Sequence, residues 1–550
     1  MNSSSGSSDV SRRLAVAAAV AVGAVGVGAG LYYLSKKKPT VADKKKEAAA
    51  KSLEQESTPS KLSRMTALEL KELGNKLFSV KKYERAIEIF THAIEKCGPG
   101  DEELAAACFQ NRAASREFLP NASLEEIIAD CQMAINNRPG YGKAYMRKAR
   151  QYEKQGKNRD ALIELFTATH VEPSLDSNIG EMLGRIAGVV AEEEKKLWIE
   201  ENQPKNQLTP VRHEKVYAWL RKFGEHDPVR CDIVNGVVAD GPYYDALKLI
   251  RDRKYDDVVD TLTPVDESEV TLADYLKVLL LLARFQYWQN RRSLADDSLI
   301  KFEEKFATLA EVDKEMFGDY MKARLCLSIE IARDKDELKP LFEKAIGIDK
   351  EYIDFYTTAV IRYTQMNEIE AANEVSSSEG IVPTTNLSLA KLMVGILLGV
   401  KNQDMSLAMD SPTPYALSLL SKVYTLFQSP ADALENINKV LEMEPNESAH
   451  YFESSLMSSS EDEMWTRLNR CIELEPHHAE ANLMLASLRV NKGGAAAISL
   501  EDYNFCCACL DRAMKVFVPD SVDFPVVDSV FQMMAVLKTK REAGVRLGVE

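Results

Sequence analysis

The chain has no phosphate-binding glycine loop, no dinucleotide glycine fingerprint behind a strand and no nucleophile elbow, so the common nucleotide-dependent and acyl-transfer enzyme classes have no foothold. The nearest metalloprotease-like string, His213-Glu214, fails where a second histidine would stand, because that position is Tyr217. Seven histidines are dispersed, and His477-His478 alone does not make a metal site. Nine cysteines are scattered over 550 residues, and the one close cluster, Cys506, Cys507 and Cys509, sits in a predicted helix without a second pair or a well-spaced histidine. That excludes a disulfide framework and favours core thiols over a zinc or redox centre. No cofactor and no metal are implied, and the chain reads as a binding protein rather than an enzyme.

Positive charge is also scarce. The formal net charge is −15, and residues 1–46 carry eight Lys or Arg against Asp9 and Asp43, a net of +6 that leaves −21 for the rest. An acidic body argues against nucleic-acid binding, which depends on neutralising phosphates. The basic leader has a membrane explanation. Leu14 to Leu34 is a run of 21 residues without a charge, long enough at helical rise to cross a hydrocarbon core of roughly 30 Å. Lys36 to Lys38 and Lys44 to Lys46 outnumber Arg12 and Arg13, which places the C-terminal side in the cytosol and weighs against a cleaved signal. Residues 1–13 form a short tail, 14–34 a transmembrane signal-anchor and 35–62 a charged linker with Pro39 and Pro59. Such anchors resemble those of mitochondrial outer-membrane proteins, with endoplasmic-reticulum anchors overlapping.

From Ala67 onward the apolar pattern is helical and recurs about every 34 residues, with small residues where two antiparallel helices must touch. Gly74, Ala86 and Ala93 are small positions of the first unit. Leu70, Leu73 and Leu77 form the apolar stripe of its first helix, and Tyr83, Ile87, Phe90 and Ile94 that of its second. The second unit, ending at Pro139, repeats the pattern with Ala113, Ile127, Asp130 and Ala134; the third, ending at Pro173, with Tyr145, Ala149, Tyr152, Ala161 and Ala168. These units resemble tetratricopeptide repeats (TPRs). Beyond Asp240 the repeats drift, the best running from Pro414 to Pro445, and seven or eight degenerate units are expected. The predicted fold is therefore all-α, a TPR superhelical solenoid in two blocks behind one transmembrane helix. Residues 63–173 form the first block, 174–239 a helical connector broken at Pro204 and Pro210, and 240–550 the second block.

In such arrays the first helix of each unit lines the binding face, and five polar residues there have no packing role: Lys71, Asn75, Asn111, Lys143 and Arg147. An extended peptide ending in aspartate offers two carboxylates at its last residue, which cations can pair, while Asn amides bond its backbone. The strings K-x-x-x-N, N and K-x-x-x-R on successive repeats resemble the dicarboxylate clamp of co-chaperone TPR domains. That likeness implies binding of the acidic C-terminal tails of 70-kDa and 90-kDa heat-shock chaperones.

Anchor, basic flank, linker, clamp block and degenerate block in this order resemble the 70-kDa preprotein import receptor family of the mitochondrial outer-membrane translocase. The resemblance implies a single-pass outer-membrane protein facing the cytosol, which docks chaperones, receives carrier-type preproteins with internal signals and works with other translocase subunits. It assigns preprotein binding to 240–550 without naming residues. The alternative is an anchored TPR co-chaperone of the endoplasmic reticulum with no import role.

Overall fold

The computed structural model describes residues 59–202, 209–222, 226–378, 380, 384–399, 412–426, 429–492, 498–517 and 524–548. Among these residues there are twenty-seven α-helices and no strand. The anchor at 14–34 and the linker through residue 58 lie outside the described residues. No helix of the described residues is long and apolar enough to cross a membrane. Contacts divide the chain into two compact units, one ending at Gln151 and one beginning at Tyr152.

In the smaller unit, a helical turn α1 (Pro59–Leu62) precedes α2 (Ala67–Ser79), α3 (Tyr83–Lys96), α4 (Glu102–Glu117), α5 (Leu124–Asn137) and α6 (Gly142–Lys154). α2 starts at Thr66 because its hydroxyl accepts from the Glu69 N–H at 3.3 Å while the Glu69 carboxylate accepts from the Thr66 N–H at 2.8 Å, a reciprocal cap. Leu70, Leu73 and Leu77 are buried as expected. Gly74 is obligatory for packing, since a Cβ there would lie 2.5 Å from the Phe90 ring. α3 departs from the sequence reading: Ala86, Ile89, Phe90 and Ala93 are fully buried, whereas Tyr83, Ile87 and Ile94 are only half-buried. α3 packs against both α2 and α4, so its buried arc is wider and rotated from a single stripe. Ala113, Ile127, Asp130 and Ala134 are all buried in the second unit, and Ala149 in the third.

The larger unit opens with α7 (Asn158–Val171) and α8 (Asp176–Glu201), then α9 (His213–Lys222) and α10 (Pro228–Val234). Helix pairs follow: α11 (Pro242–Arg251) with α12 (Asp257–Leu262), and α13 (Leu272–Trp288) with α14 (Arg292–Ala307). After the short α15 (Glu311–Met316), α16 (Gly318–Ile331) pairs with α17 (Lys335–Ile348) and α18 (Ile353–Gln365) with α19 (Ile369–Ser376). α20 (Thr385–Leu397) stands before α21 (Pro414–Leu426) and α22 (Pro430–Met443), α23 (Ser448–Leu456) and α24 (Glu461–Leu474), and α25 (Ala479–Lys492) and α26 (Leu500–Met514). The last helix, α27 (Phe524–Arg546), packs back on α7 and α8. Lys195 donates to Asp528 at 2.7 Å and Lys538 to Glu194 at 2.8 Å across that contact.

One turn geometry recurs through both units. Lys82, Lys157, Lys254, Arg291 and Glu368 each donate a backbone N–H to the carbonyl five residues earlier, at 2.8–2.9 Å. The residue before each is left-handed, with φ from 58° to 72° at Lys81, Gly156, Arg253, Asn290 and Asn367. This six-to-one closure ends one helix and reverses the chain into the next. Four of the five positions are not glycine.

Candidate functional site

On α2, Leu70, Leu73, Leu77 and Gly74 face the core, which leaves Lys71 half-buried and Asn75 exposed, one turn apart. Asn111 sits on the equivalent helix of the next repeat, and its Nδ2 donates to Asn75 Oδ1 at 2.8 Å. On α6, Ala144, Lys148 and Ala149 turn inward, so Lys143 is exposed and the Arg147 side chain keeps 16% exposure. Three of the five side chains, Asn75, Asn111 and Arg147, are tied into hydrogen bonds running across α2, α4 and α6. The ammonium groups of Lys71 and Lys143 have no hydrogen-bond or ion-pair partner among the described residues.

α4 supplies partners that the sequence reading did not single out. Arg147 Nε donates to Glu117 Oε2 at 2.7 Å, and its terminal nitrogen to the Gln110 carbonyl at 3.4 Å. The Gln110 amide reaches the Lys143 carbonyl at 3.4 Å, and Gln151 Nε2 donates to the other Glu117 oxygen at 2.5 Å. The only hint in the sequence was polarity at Gln110 and Glu117 within an otherwise alanine-rich helix. Behind the groove, Asp130 is buried and receives Arg112 at 2.6 and 3.0 Å together with Arg116, while Arg112 also donates to Thr91 at 3.0 Å. Those arginines hold the second repeat together. Burial pushes the Cys108 and Cys131 thiols up to about 12, so they are packing groups.

These helices therefore present two ammonium groups, one guanidinium partly neutralised by Glu117, and two amides. After the Asn75–Asn111 bond, Asn75 keeps its NH2 and Asn111 its carbonyl oxygen for a ligand, a donor and an acceptor side by side.

In the larger unit, His213 lies 2.6 Å from Glu447 and 2.5 Å from the Tyr255 hydroxyl, and Tyr217 donates to Glu444 at 2.6 Å. His478 is buried near Glu214 and Glu480, whose ligand atoms all fall within 4.8 Å of one another. Arg212 donates to both carboxylates, at 3.2 Å to Glu214 and 2.9 Å to Glu480, supplying the positive charge that a metal ion would bring. Cys506 and Cys509 are buried in α26, and burial pushes them up to about 12 and about 11. A cavity of about 580 Å³ lies among α8, α23, α25 and α27, walled mainly by apolar groups including Ala187, Phe452, Met484, Met533 and Val536.

Helix pairs that recur along the chain, several of them closed by the same turn, with a polar row on successive first helices of the smaller unit, define a helical-repeat fold of the tetratricopeptide type. No family model matches the chain. It is 28% identical over 295 residues to the mitochondrial import receptor subunit tomm-70 of Caenorhabditis elegans, covering 52% of this chain and 50% of that protein. It is 34% identical over 85 residues to the Hsp70/Hsp90 co-chaperone cns1 of Schizosaccharomyces pombe, covering 15% of this chain and 23% of that one. The crystal structure of yeast Tom70 aligns over 88% of this chain and 96% of that chain, with 15% identity and a TM-score of 0.44. The chain is related to mitochondrial import receptors of the Tom70 type. The match spans about half the length of the first of these relatives and about a quarter of the second.

Proposed function

We propose that the chain is an import receptor of the mitochondrial outer membrane, which docks cytosolic heat-shock chaperones by their acidic C-terminal tails and takes over their preprotein clients. One observation carries the reading. Lys71, Asn75, Asn111, Lys143 and Arg147 fall on three successive first helices, with two lysines unpaired among the described residues and two amides joined side by side. Such a surface suits a peptide whose end carries two carboxylates, because ammonium groups without protein partners lose no ion pair when they bind it.

The relatives support the two halves of this proposal, one named as an import receptor and the other as a co-chaperone. Residues 14–34 supply the anchor, and 63–173, 174–239 and 240–550 serve as clamp block, connector and client block. The cavity beside α8 and α27 is the client surface: it is concave and mostly apolar, and its two methionines can adapt to varied apolar segments. Other translocase subunits receive the client next.

The test is capture of a chaperone-bound carrier preprotein by lipid vesicles bearing the full chain. Excess free-acid tail peptide should block capture, whereas the same peptide with an amidated C-terminus should not. Equal effects of the two peptides would contradict the proposal.

A further inference from the structure

Glu117 lies inside a groove proposed to bind carboxylates, yet it is itself a carboxylate bonded to one of the groove's cations. It could act as a competitor that the ligand must displace, or as the group that sets the arginine. The geometry points to the second: we infer that Glu117 is a positioning residue, which holds the Arg147 guanidinium in place to receive a second carboxylate from the ligand. This inference rests on the clamp reading above.

Three observations favour positioning. The Arg147 and Glu117 side chains keep only 16% and 15% exposure, so removing the anion would leave a largely desolvated guanidinium without its counter-charge. Both Glu117 oxygens are engaged, Oε2 by Arg147 Nε at 2.7 Å and Oε1 by Gln151 Nε2 at 2.5 Å, one helical turn farther along α6. A carboxylate gripped from two residues of the facing helix does not swing aside for a ligand. Of the five guanidinium N–H donors, Glu117 and the Gln110 carbonyl take two, the latter at a weak 3.4 Å.

The rest of the groove fits the same arrangement. Gln110 and Glu117, both on α4, bind α6 at Lys143, Arg147 and Gln151, so the two cation-bearing turns of α6 are pinned to one helix. Lys71 and Lys143 supply the net positive charge, and Arg147 supplies direction. An arginine already ordered by Glu117 loses little side-chain freedom when the ligand arrives.

The test is a double-mutant cycle on the full-length chain purified in detergent, read by anisotropy of a labelled acidic peptide ending in aspartate. Glu117→Ala should weaken binding about tenfold, the scale of one charge-assisted hydrogen bond. Glu117→Gln, whose amide oxygen still accepts from Nε but which brings no counter-charge, should recover part of that loss. In Arg147→Ala, the further change to Glu117→Ala should cost nothing more. Far-ultraviolet circular dichroism and thermal melts check that each variant is folded. Tighter binding by both Glu117 variants, strongest at low salt, would mark Glu117 as a competitor and overturn the inference. Unchanged binding in both, with Arg147→Ala still impaired, would also overturn it while leaving the clamp intact. If the unmutated chain ignores the peptide, the clamp reading itself fails.

Discussion

Gly74 leaves no room for even a methyl group, because the Phe90 ring already occupies the space where a Cβ would stand. Gly74→Ala is expected to force that ring aside and destabilise the smaller unit by about 1–3 kcal/mol, read as a lower melting temperature. Asp130 presents a second kind of constraint. Buried and bonded to Arg112 and Arg116, it cannot be removed without stranding two cations, so Asp130→Ala should cost about 3–5 kcal/mol in denaturant unfolding. Both positions were legible as repeat positions, Gly74 as a small residue where two helices must touch and Asp130 as part of the second unit's pattern. The role of Glu117 was not, because an acid on a helix surface is ordinarily a solvated group and its partner lies thirty residues away.

At the scale of elements, periodicity gave the helices and their order, but not how they end. The reversal after α2, α11, α13 and α18 uses left-handed Lys81, Arg253, Asn290 and Asn367, where a sequence reader looks for glycine. Nor did periodicity give the partner of α27, since an apolar stripe shows which face is covered and not by what; α7 and α8 cover it from more than 300 residues away. The cavity beside α27 gives an element-level prediction. A Cβ on Gly184 meets nothing within 4 Å, so Gly184→Leu starts a side chain from open space at the cavity wall. It should leave the fold intact, stabilise α8 by about 0.5–1 kcal/mol and reduce preprotein capture while tail-peptide binding stays unchanged.

The contacts around α21 to α23 predict an acid response. Burial works against ionised Glu444 and Glu453, yet His450, Tyr217 and Arg221 hold the first below the ordinary value of 4.5, and Lys422 with Ser418 does so for the second. With folded values depressed, the unfolded chain takes up the proton first as acid is added. Their stabilisation is therefore complete above pH 4.5 and is lost as pH falls through the lower folded values. Thermal melts should show the melting temperature dropping over that range, with a shallower drop in Glu453→Gln.

For the whole molecule, the anchor and the receptor role stand or fall by location and ligand. A fluorescent fusion carrying residues 1–60 should decorate mitochondria, whereas reticular staining would favour an endoplasmic-reticulum co-chaperone instead. Residue types alone suggested the proposed clamp, because cations and amides at set offsets need no tertiary information. The cavity proposed as the client surface was not legible, since its walls come from residues 184 to 536 and no local string marks them.

Titration of the full chain with a chaperone-tail peptide ending in aspartate, beside the same peptide carrying a C-terminal amide, tests the central claim most directly. Saturable binding of the free acid, weakened at least about tenfold by amidation and by Arg147→Ala, is the predicted result. Equal binding of both peptides, or binding indifferent to Arg147→Ala, would contradict the account.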